Sequence, residues 1–531
     1  MKKTDFSLQA QSVLDLMNES SKHIFLTGKA GTGKSTLLDY FRHTSEKKMV
    51  VLAPTGVSAV NIDGETIHAF FGLKPGYELP EALKLKKPKN PALYKRIETI
   101  VIDEISMVRA DLMDAMDIFL RNVRKSDEPF GGIQMILIGD LYQLPPVITS
   151  QDSDIFYNEY GYTGTYFFDS EVFNRDDFYL EFVELEKVYR QEDMHFVNLL
   201  NSVRDNSINY NQIAELNKCK AKSEFYPDKD SGIISLCTTN KDVDAINIKN
   251  LSEIEEDAFL FESEIVGEVK QNLFPAENDL VLKIGAQVIF LNNDEERKWV
   301  NGTLGKIIDI VNINNEEEKT KILKIEVIKK IGSDEVKVIH EVKRHQWDIS
   351  KYVMKQGVLE REQIGSFKQF PIKLAWAITI HKSQGKTFDK VFIDFGRGTF
   401  AHGQAYVALS RCRSFEGMQM KRLLRKSDIK MDLRVRDFFA RFHYYLSDRK
   451  FSEKQKALLL NEKIKNSQTV MISYQKQNKI ISVFKIQPYE IVTEQIEISG
   501  KNRDISVLEA YNFDNECDMK MSLRRILWIE E

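Results

Sequence analysis

HIFLTGKAGTGKST, the sequence from His23 to Thr36, contains the pattern most indicative of fold class in this 531-residue chain. An apolar run leads into a glycine-rich turn, and a lysine and a hydroxyl residue then open an amphipathic run. The spacing G-x4-G-K-S, which begins at Gly28, fits a loop whose backbone N–H groups surround phosphates at the start of a helix. Lys34 would contact the β- and γ-phosphates, and Ser35 would bind Mg²⁺. The sequence therefore predicts a P-loop that binds ATP, against the alternative of a glycine-rich turn without nucleotide.

Length and composition limit the classes of protein to which the chain can belong. At 531 residues it exceeds what one hydrophobic core supports, so we expect about three or four domains. The formal net charge of −4 excludes a histone-like binder, so any nucleic-acid binding would need a local basic groove. The four cysteines are widely spaced, which predicts free thiols in a reducing compartment. Because no run of about 18 apolar residues occurs, we expect a soluble, cytoplasmic protein with no membrane partner.

The apolar runs predict two α/β lobes. Runs at 50–53, 100–102 and 135–138 have the continuous character of strands in a parallel sheet that is covered on both faces. Similar runs at 233–236 and 391–394 predict a second sheet of the same kind.

Three further segments differ from the lobes in composition. Residues 65–95 accumulate proline and lysine, residues 285–355 contain short β-rich runs with turn signals, and the tail after residue 451 changes from helical to β-like. We interpret the second of these segments as a small barrel inserted in the second lobe. The predicted boundaries are 1–64 with 96–180 for the first lobe, 65–95 for the excursion, 181–284 with 356–445 for the second lobe, 285–355 for the barrel, 446–467 for a linker helix and 468–531 for a C-terminal domain.

An acidic pair follows the predicted strand at 100–102. Asp103 would hold Mg²⁺, and Glu104 would position or deprotonate the attacking water, although a solvated pair at a strand end is the alternative. Gln143 could sense the γ-phosphate through its amide. Arg190 and Arg411 are candidates for stabilising phosphoryl oxygens, since guanidinium geometry matches them, but most arginines are surface residues. We expect the whole glycine-rich loop to contact the nucleotide, that is, Gly28, Lys29, Ala30, Gly31, Thr32, Gly33, Lys34, Ser35 and Thr36.

Seven segments spread along the chain carry further information about its family. They are GKAGTGKST, APTGVSAVNIDGETIHAFF, VIDEISMV, LIGDLYQLPPV, LEKVYRQ, HKSQGKTFDKV and GQAYVALSRCRSFEGM. Together they make the chain resemble the Pif (petite integration frequency) family of superfamily 1B DNA helicases, in which such segments occur in the same order, and they cover roughly residues 11–418. The block from Arg109 to Gln134 is similar to the signature that distinguishes this family from other superfamily 1B enzymes.

The resemblance implies two RecA-like lobes and a role for individual residues. Gln11 corresponds to an adenine-reading glutamine, Gly385 to a nucleotide-contacting glycine, and Arg190 and Arg411 to arginines that contact the γ-phosphate. The excursion at 65–95 would be domain 1B at the duplex fork, and the barrel at 285–355 would be the SH3-like domain 2B. The implied contacts with single-stranded DNA are Pro54, Thr55, Gly56, Thr66, His68, Phe70, His381, Lys382, Ser383 and Gln384.

The tail resembles a WYL domain, an Sm-like β-barrel linked to ligand or single-stranded nucleic-acid binding. The tripeptide that names the domain is replaced here by Ser506-Val507-Leu508. Arg524 and Arg525 could contact phosphate, or form a basic pair on the surface.

The resemblance implies an ATP-dependent helicase that moves 5′ to 3′ on single-stranded DNA and opens fork or tailed duplex DNA, in repair, recombination or replication maintenance. It would use ATP and Mg²⁺ and work as a monomer. Two alternatives stay open from the residues: a DNA-stimulated translocase that does not separate strands, and a nucleotide-controlled DNA-binding module.

Overall fold

The computed structural model of the chain describes most of the sequence, and its residues divide into two compact units. The first unit comprises Met1–Arg204 and Asn209–Lys430, and the second comprises Asp205–Ile208 and Met431–Glu531. None of the helices in the described residues combines the length and the apolarity that a membrane crossing needs. The described residues are 8–73, 88, 90–148, 150–175, 177–185, 193–221, 226–267, 269, 271, 274–315, 318–331, 334–355, 358–446, 453–475, 481–498, 501–514 and 516–529.

The first lobe is built on a parallel sheet with the strand order β3-β2-β4-β5-β1-β6. Its strands are β1 His23–Gly28, β2 Met49–Ala53, β3 Glu65–Thr66, β4 Thr99–Ile102, β5 Gln134–Ile138 and β6 Leu180–Leu185. Its helices are α1 Leu8–Glu19, α2 Lys34–Thr44, α3 Gly56–Asn61, α4 Ile67–Phe71, α5 Pro91–Arg96, α6 Ala110–Arg124 and α7 Ser150–Asp154.

The central strands of this sheet confirm the predicted parallel architecture. Strands β2, β4 and β5 contain the runs at 50–53, 100–102 and 135–138, and their apolar side chains are buried. Continuous apolar sequence suits these strands because helices cover both faces of a parallel sheet. Since β4, β5 and β1 are neighbours, the segments that follow them meet at one edge of the sheet. That edge carries the functional side chains.

The chain from residue 194 to 430 forms a second α/β lobe with a β-rich insertion. The helices are α8 Met194–Arg204, α9 Tyr210–Leu216, α10 Asn240–Ser252 and α11 Gln404–Leu409. The strands are β7 Ile234–Cys237, β8 Phe259–Glu262, β9 Glu264–Gly267, β10 Asp279–Leu282, β11 Gln287–Phe290, β12 Leu304–Asn315, β13 Glu318–Ile331, β14 Asp334–Val342, β15 His345–Lys355, β16 Val358–Gln369, β17 Ile372–Leu374, β18 Ala377–Thr379, β19 Val391–Asp394 and β20 Met418–Met420.

A second parallel sheet has the order β18-β7-β19-β20, as predicted from the runs at 233–236 and 391–394. The insertion consists mainly of antiparallel strands, in the orders β14-β13-β12-β11-β17 and β15-β16-β9. It extends on both sides of the predicted range 285–355, because β16 pairs with β15 and β9 pairs with β16. The predicted turn at residues 332–333 lies outside the described residues, as do residues 74–87 and 89 of the excursion at 65–95.

The hairpin of β15 and β16 contacts the first lobe, although it lies in the insertion of the second. The backbone N–H of Tyr352 donates to Glu65 Oε2 at 3.1 Å, and the Tyr352 hydroxyl accepts the N–H of Val51 at 3.1 Å. Arg361 donates to the carboxylate of Asp63. Because β3 is only two residues long, it leaves part of β2 unpaired, and the tyrosine hydroxyl satisfies one of the free N–H groups.

The second unit contains helices and an antiparallel sheet. Its helices are α12 Leu433–Leu446 and α13 Glu453–Lys465, and the second of these lies within the predicted linker helix at 446–467. The strand order is β24-β23-β22-β21-β25, with Ile472, Leu508 and Met521 in the core. The strands are β21 Val470–Gln475, β22 Ile481–Ile498, β23 Lys501–Asn512, β24 Cys517–Ser522 and β25 Ile526–Ile529.

Burial at the hairpin contact makes stability depend on pH through Glu65. Burial raises the pKa of Glu65 to about 7, so the folded protein keeps a proton there that the unfolded chain loses near pH 4.5. Stability should therefore fall as the pH rises from about 4.5 to 7, by at most about 1.4 kcal/mol per pH unit. Glu65→Gln, which keeps an acceptor for Tyr352, should remove this part of the dependence and raise the melting temperature at pH 8. Thermal melts at pH 5 and pH 8 measure this dependence. If the melting temperatures of the variant differed between the two pH values as much as those of the wild type, the assignment to Glu65 would be contradicted.

Candidate active site

The glycine-rich loop between β1 and α2 has a backbone that its glycines make possible. Gly31 and Gly33 have φ values of 82° and 87°, in the left-handed region that side chains disfavour. Gly28 has a φ of 150°, and a Cβ there would lie 2.7 Å from the carbonyl oxygen of Leu185. Helix α2 starts at Lys34, directly after the last glycine. The loop thus forms the predicted turn at a helix N-terminus, where phosphate binding is favoured.

Lys34 is a partly buried cation whose side chain lies along this loop. Its Nζ donates to the carbonyl oxygens of Gly28 at 2.7 Å and Lys29 at 3.1 Å. Burial lowers the pKa of Lys34, and the carboxylates of Asp140 and Glu104 oppose that effect. A lysine held between backbone oxygens and carboxylates is placed to exchange these partners for phosphate oxygens.

A cavity of about 1070 Å³ lies between the two lobes, and residues of both lobes line it. It brings together most of the residues predicted to act on the nucleotide. Gly28, Lys29 and Gln11 are not part of its lining, and the exposed side chain of Gln11 donates to Asp15 Oδ1 at 3.0 Å instead. The predicted residues in the lining are Ala30, Gly31, Thr32, Gly33, Lys34, Ser35, Thr36, Asp103, Glu104, Gln143, Gly385 and Arg411.

The acidic pair lies at the carboxyl end of β4, as predicted. Burial raises the pKa of both carboxyl groups, and the pKa of Glu104 reaches about 7. Glu104 also has a φ of 53°, a left-handed conformation that is uncommon for a residue with a side chain. Its Oε2 accepts a hydrogen bond from Gln384 Nε2 at 3.0 Å. Gln384 is predicted to contact DNA, but in this structure it donates a hydrogen bond to Glu104, the carboxylate predicted to position the attacking water.

The loop after β5 contains a charged interaction that the sequence did not reveal. Arg204, at the end of α8, donates to Asp140 Oδ1 at 3.1 Å and lies 4.2 Å from the centre of the Tyr142 ring. Arg204 and Asp140 are both buried. Burial alone would lower the pKa of Arg204, but the carboxylates of Asp140 and Glu184 outweigh it and raise that pKa. Gln143 is buried on the same loop, with its Nε2 3.4 Å from Asp140 Oδ2. Arg204 thereby fixes the loop that carries Gln143.

Two contacts, one from α11 and one from the glycine before it, join the lobes beside the cavity. The backbone N–H of Ala30 donates to the hydroxyl of the buried Tyr406 at 3.2 Å. A Cβ on Gly403 would lie 2.3 Å from the carbonyl oxygens of Tyr142 and Gln143. Tyr406 and Gly403 belong to the GQAYVALSR block, which was the only signal in the sequence for either contact.

Arg411 reaches the cavity from the second lobe. It is 1% exposed, and its guanidinium donates to the carbonyl oxygens of Val407 at 2.9 Å and Lys386 at 3.1 Å. These bonds orient the side chain within its own lobe. Arg190, the other predicted arginine, lies in residues 186–192, outside the described residues.

The predicted DNA contacts of the first lobe have structural roles of their own. The hydroxyls of Thr55 and Thr66 accept the N–H groups of Ser58 and Ala69, both at 3.2 Å, and so cap α3 and α4. Phe70 is 5% exposed and packs in an aromatic cluster. Pro54, Gly56 and His68 are partly buried, and burial lowers the pKa of His68. Contact of these residues with DNA stays a prediction.

The predicted DNA contacts of the second lobe point in different directions. Ser383 is fully buried and donates to the carbonyl oxygen of Ile380 at 2.7 Å, and Gln384 bonds to Glu104. Lys382 is exposed and His381 is partly exposed. Of these four, Lys382 and His381 are therefore placed to meet a ligand from solvent.

The donor set in the cavity fits a magnesium ion. The hydroxyl of Ser35 and the carboxylate of Asp103 both line the cavity, and Mg²⁺ prefers oxygen ligands together with phosphate and water. Among the described residues, no group of three or more His, Cys, Asp or Glu side chains is placed to hold a metal alone. A magnesium ion here would depend on the phosphates for part of its coordination.

Two parallel α/β lobes that close on a phosphate loop define a P-loop ATPase with RecA-like lobes. The model of the PIF1-like helicase family matches residues 6–213. The ATP-dependent DNA helicase Pif1 of Bdellovibrio bacteriovorus is 32% identical over 447 residues, which is 82% of this chain and 92% of that protein. The chain therefore belongs to the PIF1-like helicase family, whose named relatives are ATP-dependent DNA helicases.

Relatives from animals are longer. The ATP-dependent DNA helicase PIF1 of Danio rerio is 35% identical over 412 residues, which is 76% of this chain but 58% of that protein. This chain thus spans less than two thirds of the zebrafish relative. The resemblance inferred from the motifs is confirmed for the family, whereas a WYL-like identity of the tail stays a prediction.

Solved structures agree with the fold. The crystal structure of Bacteroides sp Pif1 in complex with ADP-AlF4 is 35% identical and has a TM-score of 0.72, covering 83% of this chain and 97% of that one. The crystal structure of Bacteroides Pif1 bound to ssDNA is 35% identical and has a TM-score of 0.59, and the match covers 84% of this chain and 99% of that one. The predicted fold class is confirmed.

The close approach of Gly403 to the Gln143 loop predicts a sensitive position. In Gly403→Ala the new methyl group would collide with two carbonyl oxygens and displace Gln143, so kcat for ATP hydrolysis should fall by about ten- to a hundredfold. Gly232→Ala is the matched control, since Gly232 has the same φ of 69° but no atom within 4 Å of an added Cβ. Steady-state hydrolysis assays compare the two. Equal losses in both variants would assign the effect to backbone strain rather than to the contact between lobes.

Proposed function

We propose that the chain is an ATP-driven motor that moves 5′ to 3′ along single-stranded DNA and separates the complementary strand. The observation that carries the proposal is the cavity with a phosphate loop on one lobe and Arg411 on the other. A nucleotide that contacts both sides favours the closed arrangement of the lobes, and loss of the γ-phosphate removes that preference. Alternation between the two arrangements supplies the movement.

The cavity residues have separate tasks in ATP hydrolysis. Lys34 binds the β- and γ-phosphate oxygens. Ser35 and Asp103 would hold a magnesium ion, which would supply neutralising charge to the phosphates. Glu104 orients the attacking water and accepts its proton. Arg411 stabilises charge on the γ-phosphoryl oxygens, a task that the family resemblance also assigns to Arg190.

The strand would cross both lobes on the face that includes Lys382 and His381. Support comes from the Bacteroides relative, whose solved structure is bound to single-stranded DNA. Hydroxyls, amides and a cation along such a path bind phosphates without reading sequence. The 5′-to-3′ direction rests on the family alone. Because one chain supplies both sides of the cavity, we propose that a monomer suffices, acting in DNA repair, recombination or replication maintenance.

Strand displacement tests the proposal. Two duplexes of the same sequence, one with a 5′ single-stranded tail and one with a 3′ tail, should differ: the protein should open the 5′-tailed duplex in the presence of ATP and Mg²⁺. Glu104→Gln, which keeps the size of the side chain, should abolish opening. If neither duplex opened while single-stranded DNA still stimulated hydrolysis, the chain would be a translocase without strand separation; preference for the 3′ tail would reverse the direction.

Lys34→Ala separates nucleotide chemistry from DNA binding. The variant should lose ATP turnover, because it lacks the ammonium group that is proposed to bind the β- and γ-phosphates. It should keep most of its affinity for single-stranded DNA, measured by fluorescence anisotropy at a fixed salt concentration. Lys29→Ala is the control, since the loop uses the backbone carbonyl of Lys29 rather than its side chain. Hydrolysis that persisted in Lys34→Ala would refute the role assigned to the loop.

A further inference from the structure

Phe400 is a large aromatic side chain that the second lobe exposes beside a proposed DNA contact. Its side chain is 60% exposed, and its ring lies nearly parallel to that of His381, with a centroid distance of 6.1 Å and an angle of 15°. Single exposed aromatics are common on proteins, and Tyr210 is another here. Phe400 differs from Tyr210 in that a second ring, that of His381, lies nearly parallel to it.

The loop that carries Phe400 is held by buried polar groups. The Phe400 N–H donates to Gln404 Oε1 at 3.0 Å, and Gln404 is fully buried. Thr399 is also buried, and its hydroxyl donates to the carbonyl oxygen of Asp428 at 2.7 Å. The backbone that leads into the aromatic residue is therefore fixed by these two hydrogen bonds. Binding on it would not require the loop to be ordered first.

The surroundings of the two rings suit a nucleotide of a single strand. Burial lowers the pKa of His381, so its ring is neutral at physiological pH and offers an aromatic face rather than a cation. Lys382 follows His381 in the chain and is exposed, which places an ammonium group near the same surface. Aromatic faces with an adjacent cation are the combination by which proteins bind bases and phosphates without sequence preference.

We propose that Phe400, together with His381, forms a platform on which a base of the bound single strand stacks, while Lys382 contacts the neighbouring phosphate. This inference rests on the proposed function and adds a site to it. The ligand is an unpaired base of DNA, and any of the four bases suffices because each has a flat π-face.

The platform is connected to the nucleotide site through a few residues. Gln404, which holds the Phe400 N–H, directly follows Gly403, and Gly403 abuts the carbonyl oxygens of Tyr142 and Gln143. A base on Phe400 therefore contacts a loop that is connected through Gln404 and Gly403 to the position of Gln143. Loss of the platform should consequently lower the stimulation of ATP hydrolysis by DNA more than hydrolysis without DNA.

Binding of two oligonucleotides to variants of the full chain tests the platform. One probe is an oligodeoxythymidine, and the other is an abasic oligonucleotide with the same number of phosphates. Phe400→Ala should weaken binding of the first by about five- to tenfold and leave binding of the second unchanged. Phe400→Tyr, which keeps the aromatic face, should bind both as the wild type does. Tyr210→Ala removes an aromatic side chain that is 83% exposed elsewhere and should change neither affinity.

The outcomes separate this inference from the proposed function. If Phe400→Ala bound oligodeoxythymidine as tightly as the wild type does, the stacking platform would be refuted and the proposed motor function would be unaffected. Equal weakening on both oligonucleotides would also overturn it, because the loss would not come from a base. Wild-type protein that hydrolyses ATP but binds neither oligonucleotide would refute the proposed function and the platform together.

Discussion

Burial of charge constrains the site between the lobes. Burial disfavours the charged form of Lys34, and for the same reason it raises the pKa values of Asp103 and Glu104. The buried Arg204 keeps a raised pKa because the carboxylates of Asp140 and Glu184 lie near it. Charges removed from water must be balanced by partners at short distance. The carboxylates therefore remain close to the cations, and the loops that carry them keep their positions. A phosphate entering such a site meets groups that are already oriented, which is the condition for electrostatic catalysis.

Local sequence was sufficient to predict the parts of the fold that depend on local rules. Continuous apolar runs identified the buried strands, and the glycine spacing after β1 identified a turn that few other residues could form. The acidic pair was found because carboxyl ends of parallel strands meet at one edge. These features require no knowledge of which distant segments contact one another.

Contacts between distant segments could not be predicted in this way. Arg204 has no motif around it, and its pairing with Asp140 depends on how α8 packs beside the first sheet. Gln384 lies in a block associated with DNA, yet its amide bonds to Glu104, because a short turn after β18 directs it toward the other lobe. Tertiary packing determines which residues become such partners, and the periodic spacing of apolar residues in the sequence carries no information about them.

The exposed carboxylate of Asp63 introduces a dependence on ionic strength that is separate from DNA. It accepts hydrogen bonds from Arg42 of the first lobe and Arg361 of the insertion, and its side chain is 60% exposed. Dissolved salt screens an exposed cluster of this kind over about 10 Å at 0.1 M. Raising the salt concentration thus weakens the attachment of the β15–β16 hairpin as well as any attraction to phosphates. If the hairpin moves in an equilibrium, that equilibrium will therefore depend on salt partly because of this contact within the protein, and not only because of DNA.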